Sequence, residues 1–215
     1  MKIVKIVKTL IILALQMPFI AYADKLDDSL KALDKGETKK GLQLLVEEFK
    51  AGNGEAGFYL GRMSESGLGI PVNLPQAIQF YKKASEDGSP KALNRLGLLH
   101  YNGIGVLQNY SKAHTFICEA ADLKDVEAQF NCATSFFEGK GVEKNTKQAE
   151  SYFLMAANQD HIGAMNILAG NYSDGGFGEK DIKKSISYYE KTAAKGNPIG
   201  QYKLGVMFEA GVDLP

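Results

Sequence analysis

The 215-residue sequence contains no tryptophan and only two cysteines and three histidines. It lacks a Cys-x-x-Cys pair and a His-Glu-x-x-His motif, the spacings typical of redox and zinc sites. Its 25 basic and 25 acidic residues balance and form no long run of one sign, which argues against nucleic-acid binding. No serine is followed by lysine three positions later, so the Ser-x-x-Lys nucleophile of penicillin-recognising enzymes is also missing.

The first 23 residues follow the pattern of a secretory signal peptide. Three lysines precede an apolar run over residues 10–15, and Ala21-Tyr22-Ala23 supplies the small residues that signal peptidase accepts. The run is much shorter than the roughly 20 residues that a membrane-spanning helix needs. We therefore expect cleavage after Ala23 and an exported protein, periplasmic or secreted, without a membrane span. An uncleaved anchor is the alternative.

The rest of the chain is organised by a period of 36 residues that recurs without an insertion. A constant period of this length is typical of stacked repeats that bury their apolar faces against their neighbours. We call a set of residues that recur at this spacing a column. Four columns follow the period: Gly67, Gly103, Gly139, Gly175 and Gly211; Gly61, Gly97, Ala133, Ala169 and Gly205; Leu60, Leu96, Cys132, Leu168 and Leu204; and Ala77, Ala113, Ala149 and Ser185.

Each unit is predicted to contain two helices. In the unit over residues 54–88, apolar or small residues at helical spacing predict a first helix over 54–66 and a second over about 74–86. Gly67 permits a positive φ at the end of the first helix, and Pro71 cannot continue it. Because the column of Gly61 holds only glycine or alanine, we expect the two helices to approach closely there, with Ala77 as the matching small residue.

The predicted fold is all-α, a right-handed superhelical solenoid of antiparallel helix pairs. Two shorter helices, Leu26–Leu33 and Thr38–Ala51, form an N-terminal cap over residues 24–53. Four full repeats and a half repeat occupy residues 54–215. The helix of the half repeat would leave an apolar strip partly exposed.

The order of residues in these units resembles the Sel-one-like repeat, a short relative of the tetratricopeptide repeat. The resemblance lies in the small residues of the first helix, the Gly-x-Gly loop and the alanine-rich second helix, which read Leu60-Gly61, Gly67-Leu68-Gly69-Ile70 and Phe80-Tyr81-Lys82-Lys83-Ala84. The fourth repeat departs from the pattern, since Phe177 replaces the second glycine of its loop. The resemblance implies an exported bacterial scaffold for protein–protein interaction in the cell envelope or with a host.

The resemblance leaves two other functions open. A secreted, cysteine-rich subgroup of the family is linked to penicillin binding, which implies penicillin-binding or weak β-lactamase-like activity, although Ser-x-x-Lys is missing. The other alternative is a peptidoglycan binder or a modulator of a glycan-cleaving enzyme. The Gly-x-Gly pairs follow a helix rather than a strand and recur between units, so they indicate turns rather than a phosphate loop. We expect no catalysis, no cofactor and no metal.

Cys118 and Cys132 form a possible disulfide. They lie at equal distances from the turn around Asp125, on consecutive predicted helices, and an exported compartment permits the bond. The cysteines of the cysteine-rich subgroup crosslink this junction at positions that align with Ala121 and Gln129, one turn nearer the loop. Against the bond, the column of Cys118 looks exposed whereas the column of Cys132 is otherwise leucine.

A protein or peptide partner is expected on the concave side, which the first helices should line. Residues there point away from the core columns and vary strongly between repeats, although an ordinary solvated surface would vary as well. Tyr59, Arg62 and Arg95 are the first candidates, because tyrosine and arginine are favoured at interaction hot spots. The complete set is Tyr59, Arg62, Ser66, Arg95, Leu98, Asn102, Asn131, Thr134 and Glu138.

Overall fold

The computed structural model describes residues 25–211, which are helical except for short connections. The predicted signal peptide and the last four residues lie outside this range. The helices are α1 (25–34), α2 (Thr38–Lys50), α3 (Gly54–Ser66), α4 (Leu74–Glu86), α5 (Pro90–Asn102), α6 (Tyr110–Asp122), α7 (Val126–Glu138), α8 (Thr146–Asn158), α9 (Ile162–Asp174), α10 (Ile182–Ala194) and α11 (Pro198–Glu209). No strand occurs among these residues, and the two helices of a repeat pack against each other, as α3 does with α4, α7 with α8 and α9 with α10. The predicted all-α fold of paired helices is confirmed.

The described residues form two compact units that divide between Ala92 and Leu93. In the first unit, Leu45 of α2 packs with Ala56, Leu60 and Met63 of α3. The rings of Phe49 and Phe80 meet edge to face, with their centroids 5.4 Å apart. The two cap helices thus share a core with the first repeat. Three of their four ends lie one residue from the predicted position, and the start of α2 at Thr38 is as predicted.

In the second unit, a continuous apolar core runs through the helices from α5 to α10. One cluster joins α5, α6 and α7 around Ile117 and Cys132, and the next joins α7, α8 and α9 around Phe153 and Leu168. The last helix is different, because Tyr202, Val206 and Phe208 of α11 are exposed. The sequence predicts a strip of Leu204, Gly205 and Phe208 on this helix, and in the structure Gly205 and Phe208 are exposed while Leu204 is half-buried.

Two further columns set where the helices begin, and the sequence analysis missed both. The first column caps the first helix of each repeat and consists of Asn53, Ser89, Asp125, His161 and Asn197. The second column caps the second helix and consists of Asn73, Asn109, Asn145 and Asp181. In each case the side chain accepts a hydrogen bond from a backbone N–H in the first turn, which satisfies one of the helix's unpaired donors. Their 36-residue spacing was visible in the sequence.

The two glycines of the repeat loop have different roles. The first ends the helix in the left-handed conformation, as at Gly139 with φ +73°. The second lies against the helix of the preceding repeat: a Cβ on Gly141 would stand 2.0 Å from the carbonyl oxygen of Tyr110. In the fourth repeat Phe177 fills this position, and its ring packs against Phe137 and Tyr172 instead. The predicted departure of this loop therefore places a half-buried aromatic side chain against the core.

The small column on the first helices lies against the second helix of the same repeat. A Cβ on Gly61 would lie 2.4 Å from the Tyr81 ring, and one on Gly97 would lie 2.5 Å from the Ile117 side chain. At Gly97 the Cβ would also lie 3.0 Å from the carbonyl oxygen of Ala113, the residue equivalent to Ala77, so the two helices approach closely there, as expected. Ala77 is itself fully buried, but the glycine makes room for the bulky residue four positions after it.

Candidate functional site

The first unit carries three of the predicted contact residues on α3. Tyr59 is half-buried, packs against the core around Leu60, and has the Lys91 ammonium 5.6 Å from its ring centroid. Ser66 is exposed and donates its hydroxyl to the carbonyl oxygen of Arg62, at 2.8 Å. Arg62 is exposed, and no residue of the described range pairs with its guanidinium. Arg62 is thus the member of this group whose charge is most available to a partner.

In the second unit, α5 carries Arg95, Leu98 and Asn102. Arg95 is half-buried and interacts with other residues of the chain, so its charge is partly used inside the fold. Leu98 is also half-buried and packs against the cluster around Ile117. Asn102 is exposed, and its Nδ2 donates to the carbonyl oxygen of Leu98 at 2.9 Å.

The residues predicted on α7 are tied to their surroundings by hydrogen bonds. Asn131 donates through Nδ2 to Oδ1 of Asn94 on α5, at 3.1 Å. Thr134 donates its hydroxyl to the carbonyl oxygen of Phe130 in its own helix, at 2.9 Å. Glu138 lies at the end of α7. Residues of α5 and α7 are therefore brought together in this unit, which only the packing could show.

Glu138 forms an ion pair with Lys140, with 2.8 Å between Oε2 and Nζ. The same ammonium donates to the hydroxyl of Tyr101, at 2.7 Å. These hydrogen bonds, first that of Glu138 and then that of Tyr101, raise the pKa of Lys140 above its ordinary value. The negative charge of the Glu138 carboxylate is therefore partly neutralised by Lys140 of the same chain.

The sequence analysis stopped at Glu138, but α9 continues the same surface. Ile167, Gly170 and Asp174 follow Asn131, Thr134 and Glu138 at the 36-residue spacing, which is the signal that could have found them. Gly170 lies inside the helix, where glycine is less favourable than alanine by about 1 kcal/mol. A Cβ there would meet only the Tyr189 hydroxyl oxygen, at 3.7 Å, which is an ordinary contact. Packing does not require this glycine.

Cys118 of α6 and Cys132 of α7 form a disulfide in the structure, with their Cα atoms 5.1 Å apart. Cys132 is fully buried and Cys118 is half-buried. His114 lies beside the bond, with Nδ1 3.4 Å from Sγ of Cys118 and 2.7 Å from Oγ of Ser135. Burial lowers the pKa of His114, which favours its neutral form. The disulfide links the second repeat to the third.

The three histidines do not form a common site. His161 caps α9 through Nδ1 and stacks on the ring of Phe130, with the centroids 4.6 Å apart. His100 stacks on Phe116. Within residues 25–211 no group of three or more His, Cys, Asp or Glu residues is arranged to bind a metal ion. In the same range no helix has the length and apolar character needed to cross a membrane.

Comparison with known proteins gives one family. The family model of the Sel1 repeat matches residues 54–89, 90–125, 126–161, 162–197 and 198–215. These ranges begin one residue after each N-cap of the first column, so the family's unit coincides with the structural one. No curated protein matches the chain.

Solved structures of similar fold come from several bacteria. A Sel1 repeat protein from Oxalobacter formigenes has a TM-score of 0.77 and 26% identity, with 86% of this chain and 78% of that protein covered. The protective antigen c5321 of uropathogenic Escherichia coli displays an SLR fold and has a TM-score of 0.72 and 26% identity. The match covers 80% of this chain but only 37% of that protein. A Sel1 repeat protein from Klebsiella pneumoniae, at 19% identity and a TM-score of 0.55, shares the fold over 86% of this chain and 92% of its own length.

Proposed function

Because the chain belongs to the Sel1 repeat family, we propose that it is a non-catalytic scaffold that binds a protein partner through the exposed sides of its first helices. Proteins of this family generally act through protein–protein interaction. One observation carries the proposal: the buried columns stay nearly constant between repeats while the exposed positions change. One position of the first helices, which is exposed at Arg62 and Val206 and half-buried in the other repeats, holds Arg62, Leu98, Thr134, Gly170 and Val206. A surface that differs from repeat to repeat can recognise one specific partner.

The proposed place of action is outside the cytoplasm, in the bacterial cell envelope or at a host. Support comes from the signal-peptide pattern of residues 1–23 and from the disulfide, since such bonds persist in oxidising compartments. The Escherichia coli relative is a protective antigen, which is in keeping with an exported protein.

The experiment is affinity capture of envelope and culture proteins by the protein without residues 1–23, read out by mass spectrometry. Arg62→Glu is expected to reduce capture of the specific partner, because it reverses an exposed charge on α3. Lys82→Glu is the matched control, since Lys82 is exposed on α4 and lies outside the predicted surface. Helical content and thermal unfolding should be the same for both variants.

Two outcomes would contradict the proposal. Equal capture by the wild type and both variants would remove α3 from the binding surface. Equal loss in both variants would indicate a general effect of charge rather than recognition by the first helices. Arg62 is preferred to Arg95 for this test, because Arg95 is half-buried and interacts with other residues of the chain, so a charge reversal there would disturb the fold.

A further inference from the structure

The disulfide between α6 and α7 belongs to a larger group of polar side chains. His114 lies one helical turn before Cys118 on α6, with Nδ1 3.4 Å and Nε2 3.8 Å from Sγ of Cys118. Ser135 of α7 places its Oγ 2.7 Å from Nδ1 of the same ring. We call His114, Cys118, Cys132 and Ser135 the sulfur cluster. Their contacts join the four side chains into one site between the second and third repeats.

The packing of the repeats does not require this cluster. Apolar side chains fill three of its positions elsewhere in the chain, so the fold is satisfied without a polar group at this depth. The buried equivalents are Ile78 and Ile186 for His114, Met63 and Leu99 for Ser135, and Leu60, Leu96 and Leu168 for Cys132. Only the junction between the second and third repeats combines histidine, serine and two cysteines.

The hydrogen bonds of Ser135 fix which nitrogen of His114 carries the proton. The Ser135 hydroxyl donates its single proton to the carbonyl oxygen of Cys132, at 2.7 Å. Towards His114 the serine oxygen can therefore only accept, so Nδ1 is the protonated nitrogen. Burial lowers the pKa of His114, and the ring is neutral at pH 7. Nε2 thus holds a lone pair within hydrogen-bond reach of a sulfur atom.

The surroundings of the ring add no charge that would compete for this proton. No residue of the described range forms an ion pair with His114. Phe136 of α7 meets the ring edge to face, with the centroids 4.7 Å apart, and Tyr152 of α8 stacks on Phe136. Burial, together with the hydrogen bond to Asp122, raises the pKa of Tyr152 to about 12, so its hydroxyl is uncharged at pH 7.

The two sulfur atoms differ in their access to solvent. Cys132 is fully buried, whereas Cys118 is half-buried. In the reduced protein an external reagent therefore meets Cys118 first. Its thiol can pass a proton to Nε2 of His114, and Ser135 still accepts from Nδ1 of the resulting imidazolium. A cysteine, a base and a third group that orients the base form the usual arrangement of an activated thiol.

We propose that Cys118 is the reactive sulfur through which this disulfide is made by exchange with an external disulfide, and that His114 is the base that activates it. Cys132 is the resolving cysteine, and Ser135 is a positioning residue that acts through the ring of His114. This inference goes beyond the proposed function and does not depend on it, because the bond forms whether or not a partner is bound.

The exchange proceeds in two steps. The Cys118 thiolate attacks one sulfur of the external disulfide RS–SR, a bond forms between Cys118 and that sulfur, and the other RS leaves and takes the proton from His114. Cys132 then gives up its proton and attacks Sγ of Cys118, and the second RS leaves and takes up a proton. Two protein thiols are oxidised to one disulfide, and one external disulfide is reduced to two thiols.

The same geometry makes the bond resistant to reduction. An external thiolate can reach only Cys118, so its attack must expel Cys132 as a thiolate. Cys132 lies fully buried among Ile117, Ala128 and other apolar residues, where a charged sulfur is disfavoured. The site is therefore suited to closing the bond readily and keeping it closed.

The first test uses Cys132→Leu in the protein without residues 1–23, which leaves Cys118 as the single thiol. Its reaction with 5,5′-dithiobis(2-nitrobenzoate) is followed by stopped-flow absorbance at pH 7 and at about pH 9.5. Adding His114→Gln should slow the reaction about tenfold at pH 7, because a cysteine of ordinary acidity is only a few per cent thiolate there. At about pH 9.5 the thiol ionises without a base, so the two rates should be nearly equal.

Two further variants separate activation from structure. His100→Gln is the matched control, because His100 is also half-buried and stacks on an aromatic ring of the same unit; it should leave both rates unchanged. Ser135→Ala should slow the reaction at pH 7 by a smaller factor than His114→Gln, since the ring loses the contact that fixes its tautomer. Far-ultraviolet circular dichroism checks that each variant is folded.

The second test needs no substitution. Reduced wild-type protein is mixed with glutathione disulfide, the reaction is stopped with acid at early times, and the mixed disulfide is located by protease digestion and mass spectrometry. We expect glutathione on Cys118 and not on Cys132.

Glutathione found first on Cys132 would overturn the inference. A rate at pH 7 that His114→Gln leaves unchanged would also overturn it. So would a loss of the same size at both pH values, because that result would assign His114 a structural role only. None of these outcomes bears on capture of a partner by the first helices, so the proposed function is tested separately.

Discussion

Breaking the bond between Cys118 and Cys132 should destabilise the second unit more than any exposed substitution. The bond closes a loop with a sequence separation of 14. For a loop of about this length, the restriction of the unfolded chain is worth about 3 kcal/mol. Reduction changes no other atom, so the free energy of unfolding should fall by about that amount. For a chain of this size the expected fall in Tm is about 6–12 °C.

The measurement is urea unfolding followed by far-ultraviolet circular dichroism, with and without reductant, together with alkylation of thiols to report the state of the bond. Hydrogen exchange of the α6 and α7 amides localises the effect, because the helices joined by the bond should lose protection first. Loss of protection confined to the first unit would contradict the assignment.

The matched control is the double variant Cys118→Ala, Cys132→Leu. Leucine restores the residue that the column has in Leu60, Leu96 and Leu168, all of which are buried, and the variant should not respond to reductant. The reasoning would be refuted if the reduced wild type, with both thiols alkylated after unfolding, had the same midpoint as the oxidised protein. Alkylation of two free thiols in the untreated protein would show that the bond does not form.

The remaining predictions concern a helix cap and a loop glycine. His161→Ala should lower the free energy of unfolding by about 0.5–2 kcal/mol, because Nδ1 no longer accepts from the Ala164 N–H; His161→Asn, the residue found at other caps, should lose clearly less in the same urea titration. Gly141→Ala should cost more than about 2 kcal/mol, since the new methyl group meets the Tyr110 carbonyl and φ is +78°. At Gly196 φ is similarly positive, but a Cβ would meet nothing within 4 Å, so Gly196→Ala should lower the free energy of unfolding by less. Equal losses in the two variants would show that the contact with Tyr110 is not the cause.

The helices could be predicted because the signals that define them are local. Small and apolar residues at helical spacing, Gly67 at one end and Pro71 in the loop, predicted α3 and α4 at the bounds that the structure has. The caps are equally local and equally regular, because polar residues such as Asn53 and Asp125 recur with the same 36-residue period as the glycines and leucines.

The candidate site was less predictable, because exposure depends on neighbours that are distant in the chain. Arg62 and Leu98 occupy the same position in their helices, yet Arg62 is exposed and Leu98 is half-buried. The pairing of the two cysteines also depends on packing between helices. Cys118 looked too exposed to bond, and only the packing of α6 on α7 brings the two Cα atoms to 5.1 Å.

The period, the helix bounds and the family could be read from the amino-acid sequence, because each follows from residue types at short, regular spacing. The tertiary structure decided which side chain fills the space opposite Gly61, whether the two cysteines meet, and which polar groups stay available to a partner. Those outcomes depend on contacts between helices, where one repeat packs on the next some 36 residues away. A glycine without an internal reason, such as Gly170, can be recognised only once the space around it is known.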